Sequence, residues 1–264
     1  VVGRLLRELP AGSRPLVFTK CGLVWDEANR MAPPRQTLEP ASIRRECEAS
    51  LRRLGVERID LYQFHWPDES GTEIEDSWEE MGRLIAEGKV RFGAVSNFDV
   101  GLLTRCEHIG HVASLQPPFS PIRRAAAAEV IPWCVRHDTG VIVYSPMQAG
   151  ILTDDFDAER IRRMADDDWR HGSTEFQSPK LERNLALRDA LRPVARRHGT
   201  TVQAVAVAWT LAWPGVSGAI VGARSPKQVD GWIGAANLVL EPADLDEIAA
   251  AIDRTGAGQG PARP

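Results

Sequence analysis

Short apolar runs rich in β-branched residues recur along the chain between longer stretches of helical periodicity, the alternation of an α/β protein with parallel strands. Six strands are predicted: PLVFTK ending at Lys20, RIDLYQFHW around His65, VRFGAVSN ending at Asn97, VASLQP around Gln116, GVIVYSP around Tyr144 and GAIVGA ending at Ala223. No run between them reads as a hairpin. In ASIRRECEASLRRLG, Ile43, Cys47, Leu51 and Leu54 recur at helical spacing, and Gly55 offers a left-handed stop. Asp76 followed by Glu79 predicts a capping-box start for a second helix, with Trp78, Met81 and Ile85 on one face and Gly88 past its end. TVQAVAVAWTLAW is apolar nearly all round, which predicts a helix buried on more than one side.

Parallel strands covered by helices allow a closed barrel or an open doubly wound sheet, and the strand ends discriminate. Barrel chemistry sits at the C-terminal strand ends. Here those ends carry Lys20, His65, Ser96 with Asn97, Gln116, Tyr144 with Ser145, and Arg224, whereas the glycine-rich first turn of a dinucleotide-binding sheet is absent. The expected fold is therefore a (β/α)8 TIM barrel over residues 1–253. A barrel of eight units needs two more strands than the six predicted. The chain also opens inside an amphipathic segment, where Val1, Val2, Leu5 and Leu6 recur at helical spacing. At ~25–30 residues per unit, the expectation is an N-terminal truncation of about 50–60 residues. The polar stretch from Asp154 to Lys180 is long enough to be a lid, and the Gly/Pro-rich residues 254–264 are expected to form a flexible tail.

Composition narrows the class. Apolar residues make up 43% of 264 and charged residues 26%, ordinary globular usage with enough apolar surface for a sizeable core. With 32 basic and 36 acidic side chains the net charge is −4, so nothing calls for nucleic acid. No stretch approaches the ~20 apolar residues of a membrane span, and the opening residues lack the pattern of a signal peptide. Four scattered cysteines without a CxxC pair argue against a disulfide framework or a metal site, and a reducing cytoplasm is the default expectation.

Taken together, VFTK, DLYQFHWPD, GKVRFGAVSNF, LQPPFSP, VIVYSPMQAGIL and AIVGARSPKQV, in that order, resemble the third to eighth strands of the aldo-keto reductases. These are NADPH-dependent (β/α)8 barrels that interconvert carbonyls and alcohols by hydride transfer. The resemblance implies that Lys20 and His65 are catalytic and that the substrate is a small-molecule carbonyl. It further implies that Ser96, Asn97 and Gln116 hydrogen-bond the nicotinamide carboxamide and that Tyr144 stacks on its ring. Ser145, Met147 and Gly150 would approach the pyrophosphate, while Gly222, Arg224, Ser225, Lys227 and Gln228 belong to the cofactor-binding turn and helix. Ser225, Pro226 and Gln228 alone read as a capping box, but Arg224 and Lys227 add two cations at a helix N-terminus, a place for the NADPH 2′-phosphate. Trp232 stands where the family often has Asn and is a candidate to pack on the adenine.

Each residue also has a plainer reading. A strand-ending lysine is usually solvated, a lone histidine is often a core residue, and strand-end amides and hydroxyls serve as turn caps. Trp25 and Trp66 could wall an apolar substrate pocket or sit in the core. The family's catalytic tyrosine and aspartate belong to a second strand not among the six. Strand alternation turns Tyr62 away from His65 toward the helices, so the chain alone is expected to lack its proton donor. Two other functions use the same residues: a Schiff-base aldolase with Lys20 as nucleophile, and an NADPH-binding regulatory subunit of a channel with little turnover.

Overall fold

The computed structural model describes residues 1–29 and 31–264. The chain divides into two compact units, Val1–Gln116 with Arg136–Gly140, and Pro117–Val135 with Val141–Pro264. Among the described residues no helix is long and apolar enough to cross a membrane.

The first unit runs α1 (Val2–Glu8), β1 (Phe18–Cys21), β2 (Leu23–Val24), β3 (Arg35–Gln36), α2 (Pro40–Leu54), β4 (Ile59–Phe64), α3 (Ile74–Ala86), β5 (Val90–Ser96), α4 (Val100–Ile109) and β6 (Ser114–Gln116). Strands β1, β4, β5 and β6 pair in parallel in that order. Residue parity decides which side of these strands meets the helices. The Tyr62 hydroxyl donates to the Ile43 carbonyl of α2 at 3.2 Å, and a Cβ at Gly93 would lie 2.6 Å from Met81 of α3. Lys20, Gln63 and Ala94, which pair in register one residue along, therefore lie on the opposite side. Gly55 ends α2 at φ 69°, as its sequence position requires.

Three local expectations fail here. Leu23–Val24 and Arg35–Gln36 form a small antiparallel ribbon where no hairpin was expected, because the turn between them is far longer than the two-residue signal that marks one in sequence. Helix α3 starts at Ile74 without a side-chain cap. Asp76 lies inside its first turn, and Arg105 binds the acids there through Glu75 and Glu73, each at 2.7 Å. Ile85 is left partly exposed, while Trp78, Met81 and Leu84 take the buried face.

The second unit contains α5 (Val130–Arg136, its last residue in the first unit), β7 (Gly140–Tyr144), α6 (Ala158–Arg162), α7 (Lys180–Ala190), α8 (Arg192–Arg197), α9 (Val202–Leu211), β8 (Val216–Ile220), α10 (Pro226–Asp230) and α11 (Pro242–Thr255). Strands β7 and β8 pair in parallel, and α9 is buried along nearly its whole length, as its all-round apolarity requires. Trp209 of α9 stacks on Phe119 at 5.5 Å between ring centroids.

Strand β8 ends at Ile220, not at Ala223, because its register partner Tyr144 is the last residue of β7. The polar stretch from Asp154 to Lys180 is folded into α6 and two 3-10 turns, Trp169–Gly172 and Thr174–Phe176. Its apolar residues Phe156 and Phe176 are buried against each other, ring centroids 5.9 Å apart. The tail also departs from expectation. Helix α11 continues to Thr255, and buried Arg124 then donates to the carbonyls of Ala257 at 3.0 Å and Gly260 at 3.2 Å. A free tail would take two of the carbonyl acceptors from that buried guanidinium and leave it the Pro121 carbonyl.

The four cysteines are free and buried. Burial pushes the thiols of Cys47, Cys106 and Cys134 up to about 11, about 12 and about 12, which leaves them protonated and poor nucleophiles at neutral pH.

Candidate active site

In the first unit the ends of β1, β4, β5 and β6 gather one polar cluster. Lys20 is in register with Gln63, and His65 follows two residues later on the same parity, immediately past the end of β4. Lys20 is half-buried, and burial holds its ammonium below the ordinary lysine value. His65 is also held below its ordinary value, first by burial and then by the positive charge of Lys20. At neutral pH the imidazole is therefore neutral and one ring nitrogen carries a proton to donate. Neither the solvated lysine nor the buried core histidine describes this pair.

Asn97 and Ser96 stand one step further along. Asn97 takes the left-handed conformation, φ 63°, and its Nδ2 donates to the His65 carbonyl at 3.0 Å and to Ser96 Oγ at 3.1 Å. Ser96 Oγ in turn donates to the Gln116 carbonyl at 2.8 Å, and Gln116 Nε2 donates to Gln63 Oε1 at 3.3 Å. Ser96, Gln116 and Gln63 are almost fully buried. The chain of bonds leaves Ser96 as a brace between strand ends, while Asn97 and His65 remain half-buried at the rim. Gln63 carries no motif in the sequence. Its role as partner of Gln116 depends on the neighbouring strands, so no local signal carried it.

The loops after Lys20 and His65 carry the two tryptophans whose place was open. Neither is in the core: Trp25 and Trp66 are both exposed, and the Trp66 ring stacks on His65 with centroids 6.5 Å apart and planes inclined by 20°. Tyr62 is fully buried on the helix side, and burial drives its phenol well above the ordinary value, which removes it as a proton donor.

In the second unit Tyr144 ends β7 half-buried, its phenol raised by burial although Arg123 pulls it the other way. Ser145, Gln148, Ala149 and Gly150 all have positive φ, and the amides of Gln148 and Gly150 close the turn onto the carbonyls of Ser145 at 2.9 Å and Met147 at 3.1 Å. The tight-turn reading accounts for those two N–H groups. Gly222 is exposed, with nothing within 4 Å of the position a Cβ would take. Ser225 caps α10 by accepting from the Gln228 amide at 3.4 Å, but Gln228 Oε1 accepts from the Arg224 amide at 2.6 Å, so only half of the capping box forms. Helix α10 has five residues, too short to supply much dipole. Any anion affinity at this turn rests on the side-chain cations.

Those cations have company. Arg224 borders a cavity of about 390 Å³ together with Arg160, Arg163 and Arg170, the last three from the stretch between Asp154 and Lys180. Asp168 on the same wall is taken by Arg170 at 2.6 Å. Among the described residues Arg224 has no ion-pair partner. Asp155 and Asp157 also line the cavity, so its wall is mixed in charge with arginine in slight excess, and the arginine forks are the donors suited to the phosphates of a nicotinamide dinucleotide.

Strand ends carrying lysine, histidine and amides in the first unit, and an arginine-bearing turn after the last strand of the second, are features of a carbonyl oxidoreductase of the α/β barrel class. Residues 1–253 match the Aldo/keto reductase family, and the chain belongs to it. An NADH-specific methylglyoxal reductase of Escherichia coli (strain K12) is 31% identical over 267 residues, spanning 96% of this chain and 80% of its own. An aldo-keto reductase of Bacillus subtilis (strain 168) is 29% identical over 256 residues, 97% of this chain and 75% of its own. The structure of a glycerol dehydrogenase from Gluconobacter oxydans superposes with a TM-score of 0.88 at 34% identity, covering 98% of this chain and 78% of that one. The protein is an oxidoreductase that reduces small-molecule carbonyls with a nicotinamide cofactor.

Proposed function

We propose that the enzyme reduces aldehydes or ketones to alcohols and draws on NADPH in preference to NADH. The observation that carries the cofactor choice is Arg224, a cation without an ion-pair partner among the described residues, on the wall of a cavity that three further arginines and three aspartates share. A 2′-phosphate adds two negative charges that NADH lacks, and an arginine fork meets it with charge-assisted bonds. Lys227, exposed on α10, adds a second cation to the same turn.

In the first unit Lys20 and neutral His65 would donate to the substrate carbonyl oxygen, whose negative charge grows during reduction. Asn97 and Gln116 would hold the nicotinamide carboxamide, with Ser96 as their brace. In the second unit Tyr144 would offer its ring face to the nicotinamide. Ser145, Met147 and Gly150 would line the pyrophosphate, and Gly222, Arg224, Ser225, Lys227 and Gln228 the adenosine phosphate. The reduced nicotinamide, when bound, supplies the reducing equivalents.

Titrating the protein with NADPH and NADH tests the preference. NADPH is expected to bind about tenfold tighter or better, and Arg224→Ala to remove most of that ratio while changing NADH affinity little. Equal affinity for the two cofactors in the parent protein would remove the phosphate role of Arg224 and Lys227.

A further inference from the structure

Glu46 is a half-buried acid of α2, on the helix side of the first unit's sheet, with no part in the proposed chemistry. Both its carboxylate oxygens are occupied. Oε2 accepts from the Gly22 amide at 3.0 Å, and Oε1 accepts from the Ser42 hydroxyl, one helical turn earlier, at 3.1 Å. Burial pushes the carboxyl above the ordinary glutamate value, against the pull of those two donors. Gly22 lies at the turn where the strand ends carrying Lys20 and His65 are tied together. The carbonyl of Cys21, between Lys20 and Gly22, accepts from the His65 amide at 2.9 Å, and the Gly22 carbonyl accepts from the Thr37 amide at 3.2 Å. Gly22 takes φ 92°, and a Cβ there would lie 2.7 Å from Leu38 Cδ2, so the close packing of this turn depends on glycine. Of these bonds to the turn, only that of Glu46 comes from the helix layer.

We propose that Glu46 is a positioning residue for the Lys20 and His65 pair: its carboxylate anchors the Cys21–Gly22 turn to α2 and so sets where Lys20 stands relative to His65. The inference rests on the reading that these two side chains meet the substrate carbonyl, and it names what holds them. A polar pair at a strand end keeps its geometry only when bonds behind it fix the backbone, and here one bond locks the β1 end to the helix while the next joins it to the β4 end. The two side chains are electrically linked, since the charge of Lys20 adds to burial in holding the imidazole below its ordinary value. A β1 end released from α2 weakens that link, because Coulomb interaction falls with distance and with access of water. The direct effect of the Glu46 charge has the opposite sign. Loss of a negative charge disfavours the imidazolium, whereas loss of the hold on Lys20 favours it.

The test follows the His65 ring protons by NMR across pH, and the Gly22 amide by hydrogen exchange, in the protein without cofactor. Glu46→Ala is expected to speed Gly22 exchange about tenfold or more, the loss of one bond to a charged acceptor, and to move the His65 titration upward in the direction that Lys20→Met gives. Glu46→Gln keeps an acceptor for Gly22 and should lie close to the parent in both. Glu48→Gln removes a carboxylate of the same helix that binds Lys89 instead of the strand end, and should change neither. In a Lys20→Met background Glu46→Ala should no longer move His65, which a general loosening of the unit would still do. A His65 titration that stays in place or moves downward in Glu46→Ala overturns the proposal, and so does an upward movement that persists in Lys20→Met. Glu46→Asp keeps the charge and shortens the reach; where the alanine variant does not fold, it is judged by the same criteria. No readout here uses turnover or cofactor, so the positioning can fail while the carbonyl-reductase reading stands, and that reading can fall on the cofactor titration while the positioning holds.

Discussion

Asn97 donates its side-chain Nδ2 to the backbone carbonyl of His65 at 3.0 Å, tying the end of β5 to the first residue beyond β4. The bond exists because Asn97 sits at φ 63°, a conformation that asparagine tolerates better than most residues with a side chain. Replacement by alanine removes the bond and keeps the strain, while glycine removes both. Asn97→Ala is expected to lose about 1–3 kcal/mol in urea unfolding, and Asn97→Gly clearly less. Equal losses would show that backbone conformation contributes nothing at this position.

The charge of Lys20 reaches His65. Because burial and then Lys20 hold the imidazole below its ordinary value, Lys20→Met should move the His65 titration upward, followed by NMR of its ring protons. The linkage has a sign. The folded state resists protonating His65, so its contribution is complete above the ordinary histidine value of ~6.5 and is lost as pH falls through that value toward the folded one. An unmoved titration in Lys20→Met would separate the two groups.

Asp244 anchors the start of α11. Its buried carboxylate accepts from Arg197 Nη2 at 2.6 Å, His198 Nε2 at 2.7 Å and the Glu241 amide at 2.9 Å. Burial alone would raise its pKa, but these bonds outweigh it and hold the group below the ordinary aspartate value. Its stabilisation is therefore complete above that value and disappears as pH falls through the folded one. Asp244→Asn should cost about 1–3 kcal/mol at pH 7, and the gap from the parent should narrow in acid. A gap constant down to pH 3 would exclude a carboxylate-specific role.

The tail is held by one buried cation. Arg124→Met leaves the carbonyls of Pro121, Ala257 and Gly260 without that donor, an expected cost of about 2–4 kcal/mol. Gly258→Ala should release residues 256–264, since the added Cβ would overlap the Ile122 carbonyl. Faster amide exchange confined to these residues is the expected signature in both variants.

Arg160 and Arg163 lie on the segment between Asp154 and Lys180 and share a cavity with Arg224. Saturating NADPH should slow amide exchange in this segment, as a covering loop closing on bound phosphates requires. Unchanged exchange there would remove the lid role and leave the barrel-end site intact.

The sequence by itself determined what local rules reach. Alternation placed His65 on one side of its strand and Tyr62 on the other, because side chains in a strand switch faces at every residue. Helical periodicity and left-handed glycines marked α2 and the buried α9, and the order of strand-end residues was enough to mark the family. What required the fold were relationships between segments far apart in the chain. Ser96 and Gln116 read as cofactor contacts or turn caps, and only the fold shows them buried and bonded between neighbouring strand ends. The polar stretch and the Gly/Pro-rich tail read as loose, yet Phe156, Phe176 and the acceptors around Arg124 give them internal partners. Arg123 and Arg183 carried no motif at all. They come to the wall of one cavity only where the tail packs between the loop after β6 and helix α7, since the surroundings of a surface charge are set by the fold and not by a sequence window.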